Sequence, residues 1–167
     1  MNATPTRRAS KIRRFDSLEQ EAFLSLWRTY DRLRAFEDEL FSAHDLTPQQ
    51  YNALRLLRGA HPDKIHTLDL ASRLVSRAPD ITRLLDKLEQ RGLIERDRPA
   101  ENRRVVRVGI TEPGLTLLAD LHDPLQACHR RQLGHLSKKE LEQMVLLLGV
   151  ARAPHEDDAS IWRHAGA

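Results

Sequence analysis

A single cysteine, Cys128, in a chain of 167 residues leaves no partner for an internal disulfide and no ligand set for a cysteine-rich zinc finger. Aromatic residues are scarce as well, at 5%. Leucine, isoleucine and valine must therefore fill the core, a composition that leans helical. No apolar run approaches the roughly 18 to 20 residues needed to span a bilayer. The opening Met1-Asn2-Ala3-Thr4-Pro5-Thr6-Arg7-Arg8 is basic but is followed by no apolar core of a signal peptide. A cytoplasmic protein without a membrane partner is expected. Catalytic signatures are missing too: there is no glycine-rich phosphate loop, no nucleophile elbow and no HExxH. Eight histidines raise the question of a metal, yet none are paired at i, i+4, and His122 and His129 lie seven apart. Neither an enzyme, nor a cofactor, nor a metal site is expected. Cys128 falls on the apolar stripe of a late helix, which favours buried packing over a reactive thiol. The chain shows no internal repeat and no low-complexity segment.

What is present is a soluble globular balance, 40% hydrophobic and 31% charged. The length suits one ordinary domain, or one domain plus an oligomerisation arm. The formal net charge of +3 says less than its distribution. Between residues 7 and 14 stand Arg7, Arg8, Lys11, Arg13 and Arg14 with no acid, which reads as a flexible basic arm over residues 1–15. From Arg73 to Arg107 ten basic residues face six acids. Clustered positive charge attracts nucleic acid by releasing counterions from the phosphates; a solvated surface is the plainer alternative.

Helical periodicity begins near Asp16 and runs to His44. Its stripe is Leu18, Ala22, Leu26, Tyr30, Leu33 and Leu40, broken at Glu37 and flanked by Phe15, Phe23, Trp27, Phe36 and Phe41. So wide a stripe implies burial against more than one neighbour. Thr47-Pro48-Gln49-Gln50 is a helix start, with Thr47 and Gln50 spaced as a capping box and Pro48 at the first helical position. Tyr51, Leu54 and Leu57 form the inward face of that helix. A loop over residues 60–66 leads to Thr67, a second candidate cap, and to a short helix packing through Leu68, Ala71, Leu74 and Val75. Pro79 and Asp80 suit the first turn of the next helix, whose stripe is Ile81, Leu84, Leu85 and Leu88. Its opposite face carries Asp80, Thr82, Arg83, Asp86, Lys87 and Gln90, and Gly92 supplies the stop. Residues 93–98 and 104–110 read as two strands around a turn at Pro99-Ala100-Glu101-Asn102. Thr111-Glu112-Pro113-Gly114 opens a long helix that Pro124 should kink or split. Ser137 and Glu140 form another capping box, launching a helix with Leu141, Met144, Val145 and Leu148. Residues 151–167 read as a polar tail.

A short helix joined by a tight turn to a polar-faced one is the helix-turn-helix pattern. Its second helix can enter a major groove about 12 Å wide, where base edges identify sequence. A hairpin directly after it forms a wing, and arginine at the wing tip can enter a minor groove. The predicted fold is therefore mainly α with a small β-hairpin wing, a winged helix-turn-helix, with long N- and C-terminal helices outside it. The candidate DNA-contacting residues are Arg77, Pro79, Asp80, Thr82, Arg83, Lys87, Arg103 and Arg104. Each has a plainer reading. Arg83 and Lys87 could be solvated; Pro79 and Thr82 could read thymine methyl groups or be structural. Asp80 could serve the helix dipole or accept from a cytosine amino group. Arg103 and Arg104 could pair with Glu101 or Glu95 instead of DNA.

These segments resemble the MarR (multiple antibiotic resistance regulator) family of winged-helix transcriptional regulators. The likeness lies in Leu70-Ala71, the run Ile81-Thr82-Arg83-Leu84-Leu85-Asp86-Lys87-Leu88-Glu89, Arg91-Gly92-Leu93-Ile94-Glu95-Arg96, Asn102-Arg103-Arg104 and Ile110-Thr111-Glu112-Pro113-Gly114. With flanking helices it covers about residues 16–150, and the hairpin with its borders is the most specific part. The resemblance implies a homodimer formed by residues 16–46 and 111–150, around a DNA-binding part at 47–110. It implies a recognition helix at 79–91 in the major groove and a wing at 98–104 in the minor groove of double-stranded DNA. Arg83 matches the arginine that follows a threonine on the family's recognition helix, and Arg104 matches its wing arginine. The implied function is a sequence-specific repressor on a pseudo-palindromic operator, released by a small-molecule effector that is often aromatic and anionic. A winged-helix protein-interaction module is the alternative; it would want an apolar or acidic recognition face. Two features depart from the pattern. Asn102 stands where the family has an aspartate before the paired arginines, so the charge-assisted part of that hydrogen bond is gone. The recognition helix also lacks a capping side chain at the expected place, leaving its terminus open to a DNA phosphate.

Overall fold

The computed structural model describes residues 15–75, 80–98 and 105–156. Among these residues the chain forms seven α-helices and three short strands. In chain order these are α1 (Leu18–Ser42), α2 (Pro48–Ala60), β1 (Ile65–His66), α3 (Thr67–Arg73), α4 (Ile81–Gln90), β2 (Ile94–Asp97), β3 (Arg107–Ile110), α5 (Glu112–Asp120), α6 (His122–Leu133) and α7 (Lys138–Arg152). A single 3₁₀ turn, Ala153–His155, follows α7. None of the described helices is long and apolar enough to cross a membrane. The chain divides into two compact units, residues 1–35 and 36–167.

In the first unit, the Gln20 N–H donates to Ser17 Oγ at 3.1 Å and so ties down the first turn of α1. Several apolar residues of this stretch are exposed. Leu18 is 68% exposed and Trp27 61%, with Phe23, Leu26 and Tyr30 similarly open.

The second unit holds the core. Phe41, at the end of α1, is buried and stacks on Tyr51 with ring centroids 4.8 Å apart. Leu54 and Leu57 from α2, Leu70 from α3, Leu85 and Leu88 from α4, Val108 from β3 and Leu121 are all fully buried with it. The expected capping boxes form: Thr47 accepts from the Gln50 N–H while the Gln50 side chain accepts from Thr47 N–H, and Ser137 and Glu140 do the same. Pro124 divides the long helix as predicted, α5 ending at Asp120 and α6 starting at His122.

Several local expectations need correction. The sheet has three strands in the order β1-β3-β2, all antiparallel, whereas Ile65–His66 read as loop. Two residues are too few to show a period of two, and only pairing with Val108 and Arg107 makes them a strand. Thr67 does not cap α3. Its N–H and its hydroxyl both donate to the Val106 carbonyl, at 3.0 and 3.2 Å, and so join α3 to the hairpin. Finally, α3 and the two residues after it pack through Leu70 and Leu74, while Leu68 and Val75 are exposed. A seven-residue helix carries too few apolar positions to define its face. The strands are also shorter than read, β2 at Ile94–Asp97 and β3 at Arg107–Ile110. On α7 none of the residues is fully buried; Val145, Leu146, Leu147 and Val150 are exposed.

Candidate nucleic-acid interface

The polar-faced helix α4 is held from three directions. From below, Leu85 and Leu88 are fully buried, with Ile81 and Leu84 partly so. At its start, the Asp80 carboxylate accepts from the Arg83 N–H at 2.8 Å. The helix thus begins at Ile81, two residues later than read, and its N-terminus is capped rather than open. A side-chain cap of this kind contributes about 1 kcal/mol and occupies the position proposed for a phosphate. At its end, Gly92 adopts φ +67°, letting the Leu93 N–H return to the Leu88 carbonyl at 3.0 Å. Arg91 then reaches across to the corner before α2, donating to the Asp45 carbonyl at 2.5 Å and to that of His44 at 3.2 Å.

The segment leaving α3 is held by a buried polar residue that the sequence did not single out. Asn52, inside α2, accepts from the Val75 N–H at 3.0 Å through Oδ1. That N–H lies just beyond the end of α3. Beyond Val75, Arg77 and Pro79 lie outside the described residues, and so do Arg103, Arg104 and the wing tip.

Of the remaining candidates, Thr82, Arg83 and Lys87 stand together, exposed, on the outward side of α4 with Gln90. Asp80 is engaged as the cap. Asp86, read on the same outward face, turns instead to the first wing strand. Arg96 Nη2 donates to Asp86 Oδ1 at 2.5 Å, and its Nε donates to Glu89 Oε2 at 2.9 Å. The hydrogen bond from Arg96 holds the Glu89 carboxyl below its ordinary value, against a smaller opposing effect of burial.

The other side of β2 carries a second charge cluster. Lys64 Nζ pairs with Glu95 Oε1 at 2.8 Å and with Asp97 Oδ2 at 3.1 Å. Asp97 also faces Arg107 Nε at 3.4 Å, its partner in the strand register. Lys64 keeps the Asp97 carboxyl low, and Glu95 first, then Asp97, raises the Lys64 ammonium. Glycine at position 109 makes room for this. A Cβ there would meet Lys64 Cγ at 3.0 Å, so the lysine stem crosses β3 over the one residue without a side chain. Glu95, weighed above as a partner for the wing arginines, is thus joined to Lys64.

The hairpin is closed at its base by Thr111. Its hydroxyl donates to the Gly92 carbonyl at 2.6 Å, and its N–H donates to that of Leu93 at 3.2 Å. The same oxygen accepts from the Gly114 N–H at 3.3 Å, capping α5. The wing is therefore tied back at the point where the recognition helix ends.

A helix-turn-helix whose second helix presents a small and basic face, followed at once by an antiparallel hairpin, defines the winged helix-turn-helix class. Comparison with known proteins makes this specific. The family model described as MarR family matches residues 46–106. A crystal structure of a MarR transcription factor from Planctomyces limnophilus is 56% identical, spanning 82% of this chain and 99% of that one, with a TM-score of 0.66. MepR of S. aureus, solved as a DNA complex, is 25% identical over 79% of this chain and 97% of its own, with a TM-score of 0.69. Sco3205 of Streptomyces coelicolor, also in complex with DNA, has a TM-score of 0.76 over 92% of this chain and 98% of its own. At 13% identity it speaks for the fold alone. The chain belongs to the MarR family and is a transcriptional regulator, not an enzyme.

Proposed function

We propose that this regulator binds double-stranded DNA in a sequence-specific way as a cytoplasmic homodimer and acts as a repressor. The observation that carries the reading is the outward face of α4, where Thr82, Arg83 and Lys87 are exposed while Asp86 and Glu89 are drawn aside by Arg96. That face is polar and positive, which disfavours the protein-interaction alternative. In this reading Arg83 contacts a base edge or phosphate in the major groove, Arg77 and Lys87 contact phosphates, and Pro79 and Thr82 lie near thymine methyl groups. Arg103 and Arg104 reach the minor groove from the wing. Asp80 acts through the helix it caps.

Residues 47–110 make up the DNA-binding part, and 16–46 with 111–150 the dimerisation part. Support for the dimer comes from apolar residues left open in the single chain, Leu18, Phe23, Trp27 and Tyr30 on α1 and Val145, Leu146, Leu147 and Val150 on α7. A two-fold dimer places its half-sites about 10 base pairs apart on a pseudo-palindrome. Release by a small anionic effector is proposed by analogy with the family, acting by favouring a spacing of the two heads that misfits the operator.

The test is binding of the purified protein to duplex fragments of its own upstream region across a salt series, with Arg83→Ala, Arg104→Ala as control. Dimeric, sequence-selective binding with a steep salt slope is expected, and the variant should flatten that slope and lose about 1–3 kcal/mol per base contact. Fragments released by an aromatic carboxylate would establish the effector arm. A folded dimer that binds no fragment at any salt would overturn the reading in favour of a protein partner.

A further inference from the structure

We propose that Arg96 is a positioning residue for operator recognition, locking the wing strand to the recognition helix and withdrawing two carboxylates from its DNA-facing side. The proposal rests on the DNA-binding reading above. Asp86 and Glu89 lie three residues apart on one side of α4, and the Arg96 guanidinium spans both. Its side chain is only 22% exposed, so the contact is partly shielded from solvent. Arg96 is opposite the fully buried Val108 in the sheet register, which fixes where its backbone stands.

Apolar contact alone does little to set the angle of this strand. Of the four residues in β2, only Ile94 is buried. Charge pairs do the rest, and they act on both faces. Arg96 ties one face to α4, while Glu95 and Asp97 tie the other to Lys64 and, through Asp97, to Arg107. A planar guanidinium donating to two carboxylates at once defines direction as well as distance, which a lone ammonium does not.

Arg96 has a second, electrostatic effect. Asp86 and Glu89 alternate along α4 with Arg83 and Lys87. Left bare, the two carboxylates would stand within one helical turn of the basic face and repel incoming phosphate. Paired to Arg96 their charge is offset at close range, although both side chains keep some exposure, and the cations keep their field.

The experiment uses the full-length protein as wild type, Arg96→Met and Arg96→Lys. The probe is a duplex fragment of its own upstream region that the wild type protects. Arg96→Met should keep its helical circular dichroism yet bind about tenfold or more weakly. Hydroxyl-radical protection should disappear from the minor-groove flanks, while protection of guanine N7 from dimethyl sulfate in the major groove persists. Arg96→Lys should recover part of both, because one ammonium can serve either acid but not fork across the two. Native affinity and footprint in Arg96→Met would overturn the proposal, as would a uniform loss across both grooves, the same in Met and Lys. Amide exchange on the free protein separates this from failure of the DNA reading. Residues 94–97 and 107–110 should exchange faster in Arg96→Met while α2 is unchanged; unaltered exchange there refutes the tie whether or not DNA is bound.

Discussion

Glycine-to-alanine substitution should have opposite signs at two helical positions of this protein, Gly114 and Gly59. A Cβ on Gly114 would stand 2.3 Å from the Leu93 carbonyl oxygen and 2.7 Å from Ile110 Cγ1. An ordinary carbon–oxygen contact is about 3.3 Å, so the first turn of α5 and the start of β2 must part by about 1 Å. Ile110 can rotate, but the Leu93 carbonyl belongs to backbone. It is also the acceptor for the Thr111 N–H, so moving it strains the closure of the wing. Overpacking of this kind costs about 1–3 kcal/mol, and a weakened hydrogen bond adds about 1, against a gain of up to about 1 from alanine's helix preference. The net expectation is a loss of about 2–3 kcal/mol. At this chain length that lowers the melting midpoint by about 5–10 °C. Gly59, within α2, meets nothing inside 4 Å, so Gly59→Ala should keep the helix gain, about 0.5–1 kcal/mol, and raise the midpoint slightly. Thermal unfolding followed by circular dichroism, at one fixed protein concentration because a dimer's midpoint depends on it, measures both. Gly114→Ala melting at or above wild type, or both variants shifting the same way, would refute the close-approach argument.

Gly92→Ala should destabilise by about 1–2 kcal/mol in the same assay, because the residue sits at φ +67° where a Cβ is strained; an equal melting point would show that the helix end can relax. The charge ties on β2 predict an acid limit. Glu89 and Asp97 are held below their ordinary values of 4.5 and 3.8, so their contribution is complete above those values and is lost only as pH falls through the lowered ones. Hairpin amide protection, corrected for intrinsic exchange, should therefore be equal at pH 7 and 5 and decline below about pH 4; a decline between 7 and 5 would contradict the assignment. Burial raises the Cys128 thiol above its ordinary value, and only 5% of the residue is exposed. Its reaction with Ellman's reagent should be at least about tenfold slower in the native protein than in denaturant, and equal rates would show an accessible thiol.

Sequence reading succeeded where the determining chemistry spans four residues or fewer. Thr47 with Gln50, Ser137 with Glu140, the stop at Gly92 and the break at Pro124 are all of this kind. It failed where the partner is distant. Thr67 looks like a cap until the Val106 carbonyl, 39 residues away, takes both its donors. Asn52 looks like an ordinary helix residue until Val75 arrives, 23 residues on. Arg91 gives no sign that it will hold the corner at Asp45, 46 residues back. The helical period alone puts Asp86 on the outward face, and only Arg96 decides that it turns away. A partial signal existed there, since two acids three apart on a helix facing a basic strand invite a bridging guanidinium. The hairpin borders carried the family likeness best because backbone meets backbone there: Gly92 must turn left-handed, Thr111 must bond two carbonyls, and Gly114 must lack a side chain.

The same placements change what the charge count means. Between Arg73 and Arg107 the ten basic and six acidic residues suggest a surplus of only four, too small to argue strongly for a polyanionic partner. Yet the acids are not spread evenly over the surface. Asp80 is used as a helix cap, Asp86 and Glu89 by Arg96, and Glu95 and Asp97 by Lys64. Five of the six are thereby directed into contacts that build the reading head. Arg83, Lys87 and Arg98 remain exposed along the recognition helix and at the base of the wing. Most of the acids serve the scaffold, together with Arg91, Arg96 and Arg107, while Arg83, Lys87 and Arg98 face outward, so the local field at the recognition face is more positive than composition suggests. A negative charge in this segment should therefore matter by position: Asp86→Asn should loosen the wing, while Gln90→Glu, on the outward face, should weaken DNA binding without loosening the wing.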